Sequence, residues 1–202
     1  MYVTAREMIP APGEMQKTIA FGSEIVGVMN NRYGTAMAMS TEIGGVPNKV
    51  WLSGFWNSLD EYQSFLESYM SDQQMMAAIN MSTSFMVDIQ DQIGEILRPP
   101  GERKAFAQMH RGRLKSTGVA EGTELILELT NHVSELSGSE CGLIRPVTGD
   151  QYGVMFVAYA DSIQGLKDMT DSWVTDEKYQ EIFTKSPEYF ESEFDVTYAR
   201  FI

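Results

Sequence analysis

Two strand-like stretches of the sequence carry side chains that could transfer a proton or hold a charged group. His110 lies in AFAQMHR, and Arg6 lies at the matching point of YVTAREM, 104 positions earlier. The imidazole of histidine changes its charge near neutral pH, so His110 is the best candidate for general acid–base chemistry. No carboxylate at a recognisable spacing orients it, so a histidine hydrogen-bonded at a strand end is the plainer interpretation. If the protein is an enzyme, we predict His110 and Arg6 as its catalytic residues.

Alternation along the strands adds candidates for ligand binding. Side chains two positions apart share a face of a strand, so Tyr2 accompanies Arg6 and Gln108 accompanies His110. We expect this face to point into a cavity and the opposite face, which includes Val3, to lie under helices. An aromatic-walled cavity with a few polar groups is the usual form of a small-molecule site. The predicted ligand-binding residues are Tyr2, Trp51, Phe55, Gln108, Tyr159, Tyr198 and Arg200.

Metal and cofactor chemistry have little support in the sequence. The second histidine, His132, lies at the edge of a helical apolar stripe, and the two histidines fit neither an HxxxH nor an HExxH spacing. Cys141 is the only cysteine and lies on a predicted strand without an activating neighbour, so we expect it to be buried and inert. We therefore predict no metal site and no cofactor.

The charge balance limits the partners. The chain has 28 acidic and 15 basic residues, for a formal net charge of −13, and such a surface repels nucleic acid and anionic membranes. Residues 103–115 are nevertheless rich in bases, which could attract a small anionic molecule or simply neutralise nearby carboxylates. Neither a signal peptide nor an apolar run of membrane-spanning length is recognisable, so we predict a cytoplasmic protein.

The elements that position these residues occur twice. Residues 49–75 and 153–179 align without a gap at an offset of 104, and four of the 27 pairs are identical. Each copy has the order strand, helix, strand, strand, helix, strand. Apolar stripes predict the first helices, which end near Gly34 and Gly138, and GGVPN predicts a turn at 44–48. The predicted domains are residues 1–98 and 105–202, and the linker between them is residues 99–104.

A repeated motif interrupts the second helix of each copy. ESYMSDQQM begins at Glu67, and DSWVTDEKY begins at Asp171. We predict a helix break followed by a restart, in which a hydroxyl of Ser71 or Thr175 accepts hydrogen bonds from the new first turn. The neighbouring aspartates favour the same end of the helix dipole. Structural capping explains the motif better than catalysis does.

In this duplicated β-α-β-β-α-β order, the chain resembles the dimeric α/β-barrel superfamily. Its members include antibiotic-biosynthesis-type monooxygenases, haem-degrading enzymes, chlorite-dismutase-like proteins and NIPSNAP-like proteins. The resemblance implies an α+β fold in which two tandem ferredoxin-like βαββαβ repeats pack sheet to sheet. It also implies that His110 could act as a general base or a haem ligand.

Two functions stay open at this stage. The first is binding of a small, anionic or aromatic molecule in the cavity, with or without cofactor-independent oxygenase chemistry. The second is a non-catalytic interaction or stress-response module whose barrel is packed solid. Association of two chains as a homodimer is compatible with either function.

Overall fold

The computed structural model describes residues 1–44 and 48–202. The described chain is α+β, with antiparallel strands and α-helices. It forms two compact units. The first unit contains Met1–Glu42, most of the residues up to Gly94, and Ile202, and most of the second unit is 95–201. The predicted domain boundaries, and the predicted packing of one repeat on the other, stay predictions.

The first unit has the predicted element order, with its second helix divided in two. Its elements are β1 (Tyr2–Pro10), α1 (Met15–Tyr33), β2 (Ala38–Gly44), β3 (Val50–Trp56), α2 (Leu59–Ser71), α3 (Gln73–Ser82) and β4 (Met86–Arg98), the last of which continues into the second unit. The turn predicted at GGVPN lies largely outside the described residues, as does Gly45.

The second unit repeats this order and adds one short helix. Its elements are β5 (Phe106–Leu114), α4 (Val119–Ser137), β6 (Gly142–Pro146), β7 (Gly153–Ala160), α5 (Ile163–Val174), α6 (Glu177–Phe183), α7 (Ser186–Tyr189) and β8 (Phe190–Phe201). Strands β4 and β8 are both longer than the predicted GEILR and DVTYARFI, because each begins in a stretch without clear apolar alternation.

Strand pairing decides which side chains share a face of each sheet. In the first unit β3 pairs antiparallel with β1 and β2, so that Arg6 lies opposite Leu52. In the second unit β5 pairs antiparallel with β7 and β8, so that His110 lies opposite both Phe156 and Val196. Directly opposed residues point to the same side of a sheet. These registers fix the facing of the predicted site residues within each unit.

Each unit packs helices against one face of its sheet. The core of the first unit joins Ile25 and Met29 of α1 to Met39, Val50 and Leu52 of the strands. In the second unit Val133 of α4 and Trp173 of α5 pack against Phe156 and Ala158 of β7. Burial of these apolar side chains is the main favourable contribution to folding.

The predicted helix ends agree with the structure. Gly34 and Gly138 follow α1 and α4 in the left-handed conformation, with φ of 66° and 64°, which glycine adopts without a steric penalty. Ser58 and Ser162 cap α2 and α5, and each accepts a backbone N–H bond from three residues further on.

The predicted caps at the helix breaks were wrong by one residue. Asp72 accepts hydrogen bonds from the backbone N–H groups of Gln74 and Met75, and Asp176 accepts one from Tyr179. The hydroxyls of Ser71 and Thr175 instead donate to carbonyl oxygens of the preceding turn, because both residues are still helical or directly adjoin the helix end. The break and restart themselves are confirmed.

Candidate functional site

The first unit contains a small pocket between its sheet and α2. Its polar lining includes Arg6, Tyr62, Tyr69 and Asp91, and its apolar lining includes Phe65. The cavity volume is about 40 Å³, which is room for a few water molecules, since a cavity needs roughly 10–15 Å³ of such space to hold one.

Helix periodicity brings the aromatic wall of the pocket together. Tyr62, Phe65 and Tyr69 are three and four positions apart on α2 and therefore share one helix face. The rings of Phe65 and Tyr69 are stacked, with centroids 5.6 Å apart, and Trp56 of β3 lies 5.0 Å from Phe65. The Trp56 indole donates to the Thr4 hydroxyl of β1 over 2.9 Å. The wall is thus attached to the strand that carries Arg6.

Arg6 is held by a bidentate ion pair on the solvent side of the pocket. Its Nε and Nη2 each donate to one carboxylate oxygen of Asp91, both over 2.7 Å. Its Nη1 makes a longer contact of 3.4 Å with the hydroxyl of Tyr69. The hydrogen bonds to Asp91 raise the pKa of Arg6, although burial opposes them. The guanidinium therefore stays charged. Nη1 carries two N–H groups, so it can donate a further hydrogen bond besides the one to Tyr69.

The pocket also affects the titration of a tyrosine. Burial raises the pKa of Tyr62, and the negative charge of Asp91 adds to that rise. Both effects disfavour the phenolate, so Tyr62 presents a neutral hydroxyl at physiological pH.

In the second unit, His110 lies at the position that corresponds to Arg6. Its ring packs against Phe156 at 5.5 Å and Trp173 of α5 at 6.3 Å between centroids. Burial lowers the pKa of His110 to about 4, so its imidazole is neutral at pH 7. Nε2 of His110 and Nε1 of Trp173 are both buried, and neither has a hydrogen-bond partner in the described chain.

The predicted site residues do not share one face of their sheets. Arg6 and Tyr2 on β1 lie opposite Leu52 and Trp56, on the face that packs against the helices. Trp51 and Phe55 alternate with those residues on β3 and point to the other face. The expectation that Arg6 and Tyr2 face away from the helices was therefore wrong.

The same division holds in the second unit. Gln108, His110, Tyr198 and Arg200 share the helix-covered face through the registers of β5 and β8. Tyr159 lies opposite Ala107 and points to the other face. The predicted residues therefore belong to two faces in each unit, and the structure does not bring them together as a single site. A catalytic role for His110 and ligand contacts by these tyrosines stay predictions.

Local partners explain why polar residues occupy the helix-covered face. Gln108 is fully buried, and its side-chain oxygen accepts a 2.9 Å hydrogen bond from Thr170 of α5.

On the opposite face, the indole of Trp51 donates to Glu42 over 3.3 Å. Burial raises the pKa of Tyr159, whose ring contacts Phe201 at 5.8 Å.

Most residues of the pocket were missed by the sequence analysis, among them Tyr62, Tyr69 and Asp91. Tyr62 and Tyr69 could have been found, since with Phe65 they form an aromatic stripe on α2. Asp91 had no local signal, because the predicted last strand of the first copy began only at residue 94. Asp91 lies on β4, which begins at Met86 and is longer than predicted.

In the described part of the chain, neither histidine is placed as a ligand of haem or a metal ion. His110 is enclosed by aromatic rings, and His132 contacts Asp176, which caps α6, over 2.6 Å. Among the described residues, no group of three or more metal-binding side chains occurs. The haem-ligand role implied by the resemblance therefore has no geometric support at His110.

Basic residues of the segment 103–115 form ion pairs at the surface. Lys104 pairs with Asp161, Arg111 with Asp195, and Arg113 with Asp150 and Glu191. The contacts agree with the plainer interpretation, in which these bases neutralise nearby carboxylates.

Comparison with solved structures shows the same fold along the whole chain. A candidate monooxygenase from Lactobacillus acidophilus NCFM matches with a TM-score of 0.73 at 6% identity, over 99% of this chain and 93% of that one. A candidate monooxygenase from Fusobacterium nucleatum matches with a TM-score of 0.73 at 8% identity, over 99% and 91%. An anthrone oxidase-like protein matches with a TM-score of 0.68 at 11% identity, over 100% and 91%.

The chain accordingly shares the α+β fold of these three proteins along its length. At these identities the likeness concerns the fold and not the reaction. No protein-family model and no curated protein matches the sequence. Within the described residues, no helix is long and apolar enough to cross a membrane.

Proposed function

We propose that the protein binds a small aromatic molecule in the pocket between β1 and α2, with an oxygen atom of the ligand against Arg6. The observation that carries this proposal is the guanidinium itself. It is held at an aromatic-walled pocket, and within the described part of the chain Nη1 is engaged only by the 3.4 Å contact to Tyr69. A ligand oxygen could accept hydrogen bonds from both Nη1 and the Tyr69 hydroxyl. Aromatic walls with a few fixed polar groups are typical of small-molecule sites.

The pocket must widen for such a ligand to enter. Its volume of about 40 Å³ is well below the roughly 300 Å³ of common ligand pockets. Met29 and Met37 line it and have flexible side chains that can repack, more easily for the partly buried Met37 than for Met29 of the core. The adjoining part of β4 is largely exposed from Val87 to Gln92. We therefore propose binding by induced fit, in which the methionines and this strand segment move.

Binding of 1-naphthol, followed by calorimetry and by the side-chain ¹⁵Nε resonance of arginine, tests the proposal. We expect saturable binding that shifts the Arg6 resonance and is weakened about tenfold in Arg6→Gln, which is a loss of ~1.4 kcal/mol. Arg113→Gln is the matched control, because it removes the same charge from a surface ion pair outside the pocket. Equal affinity in the wild type and Arg6→Gln would contradict the proposal.

Oxygenase-like turnover is the next step of the proposal. The structural neighbours named as monooxygenases and as anthrone oxidase-like support it. Oxidation of anthrone by O₂ to anthraquinone and water balances without an added reductant, so the purified protein can be assayed directly. Stoichiometric O₂ uptake that is lost in Arg6→Gln supports an enzyme.

A non-catalytic module is the second candidate, and the small volume of the pocket favours it. In that case the aromatic side chains of α2 are core residues, and the Arg6–Asp91 pair is a surface ion pair. Naphthol then fails to bind at any concentration that leaves the protein folded.

We also propose, from the repeated element order, that each unit is a ferredoxin-like repeat. A homodimer stays a proposal that light scattering would test.

A further inference from the structure

Asp91 contributes the only negative charge among the described residues that line the pocket, and Arg6 contributes the only positive one. The two carboxylate oxygens of Asp91 occupy Nε and Nη2 of Arg6. The pair is therefore neutral as a unit, and Nη1, the guanidinium nitrogen that Asp91 does not contact, faces Tyr69.

This arrangement distinguishes two kinds of aromatic ligand. A carboxylate approaching Nη1 meets the attraction of Arg6 together with the repulsion of Asp91, which is bonded to the same guanidinium. A neutral phenol or ketone needs only a hydrogen bond and feels little net repulsion. Arg6 is the less exposed partner of the pair, and a partly buried charge is less well screened than an exposed one.

Exposure indicates that Asp91 lies toward the solvent. The side chain of Asp91 is 51% exposed and that of Arg6 is 28% exposed. A ligand carboxylate could replace Asp91 only by breaking two charge-assisted hydrogen bonds of 2.7 Å. A ligand with a neutral oxygen leaves both bonds in place.

We propose that Asp91 determines the ligand class of the pocket, by selecting a neutral phenol- or ketone-type oxygen over a carboxylate. This inference rests on the proposed binding function, and it assigns to Asp91 a specificity role that does not require turnover.

The test compares two probes of the same shape, 1-naphthol and 1-naphthoate, at pH 7. The wild type is expected to bind naphthol more tightly. Asp91→Asn keeps an oxygen that can accept from Arg6 but removes the charge, and naphthoate should then gain about tenfold in affinity. Naphthol should change little.

Asp88→Asn is the matched control, since Asp88 lies on the same exposed strand segment and contacts Ile89 and Gln90 rather than Arg6. It removes the same charge and should leave the ratio of the two affinities unchanged. Wild-type preference for naphthol, reversed or abolished only in Asp91→Asn, supports the inference.

The failures are distinguishable. Binding of both probes with the same affinity ratio in the wild type and Asp91→Asn overturns the specificity role and leaves the binding function standing. If Asp88→Asn changes the ratio of the two affinities as much as Asp91→Asn does, the effect is one of general surface charge. That result also overturns the specificity role of Asp91. Absence of binding by either probe to the wild type and both variants overturns the binding function and this inference together.

Discussion

His110 and Trp173 pack ring against ring in the second unit, 6.3 Å between centroids, at the positions where the first unit has Arg6 and Tyr69. In the first unit Arg6 and Tyr69 are joined by a hydrogen bond and line a pocket. In the second unit Nε2 of His110 and Nε1 of Trp173 are both buried without a hydrogen-bond partner in the described chain. The same place in the two units thus carries a permanent cation in one and a neutral imidazole in the other.

The burial of His110 predicts a loss of stability in acid. Its pKa is about 4 in the folded state and about 6.5 in an unfolded chain. As the pH falls below 6.5 the unfolded state gains a proton that the folded state does not bind, so stability decreases down to about pH 4. The loss attributable to this residue is ~3 kcal/mol.

Urea unfolding of the wild type and His110→Phe at pH 7.5 and 4.5 measures this loss. The aromatic replacement keeps the ring contacts with Phe156 and Trp173 and removes the titrating group. We expect the free energy of unfolding to fall less between pH 7.5 and 4.5 in His110→Phe than in the wild type. The difference should be most of the ~3 kcal/mol attributed to His110. Parallel pH curves for the two proteins would show that His110 is not the group responsible.

The helix break in the first unit gives a second prediction. Asp72 caps α3 and also contacts Arg32 and Tyr33. Hydrogen bonds from the backbone of Met75, from Tyr33 and from Arg32 lower the pKa of Asp72 to about 2. Because this folded pKa lies below the unfolded value, the stabilisation is present above about pH 4 and is lost as the pH falls toward 2.

Asp72→Ala should therefore lower the melting temperature at pH 7 and reduce the acid sensitivity of unfolding. Ser71→Ala is the matched control, since its hydroxyl donates only to the carbonyl of Ser68. A larger effect of Ser71→Ala than of Asp72→Ala would restore the original prediction that the hydroxyl is the cap.

The helices could be predicted from the sequence because each carries its own signals. Apolar stripes and left-handed glycines define α1 and α4, and serine caps begin α2 and α5. These signals depend on residues within one or two turns of each other. They are therefore readable without knowing what the helix packs against.

The facing of the strands could not be predicted in the same way. Thr4 and Gln108 are buried polar residues whose partners, Trp56 and Thr170, are 52 and 62 positions away. A polar side chain on a strand normally indicates the exposed face, but a distant hydrogen bond can reverse that inference. Arg6 and Gln108 were assigned to the wrong face for this reason, and Asp91 was missed because its partner Arg6 is 85 positions away.

The single cysteine should be unreactive in the folded protein. Cys141 is fully buried, and burial raises the pKa of its thiol, so little thiolate is present at pH 8. We expect no labelling by a thiol reagent such as Ellman's reagent in native buffer and one equivalent in denaturant. Fast stoichiometric labelling of the native protein would contradict the buried position.

Substitution of alanine for two glycines in the long helices should change the free energy of unfolding in opposite directions. A Cβ at Gly122 of α4 would come within 2.5 Å of Leu114 and 2.9 Å of Tyr189, whereas a Cβ at Gly27 of α1 meets nothing within 4 Å. Gly122→Ala therefore overpacks the contact between helix and strand and should cost ~1–3 kcal/mol. Gly27→Ala only improves helix propensity and should stabilise by ~0.5–1 kcal/mol. Denaturant unfolding of both variants measures the difference, and destabilisation by Gly27→Ala would mean that this face of α1 is covered in solution.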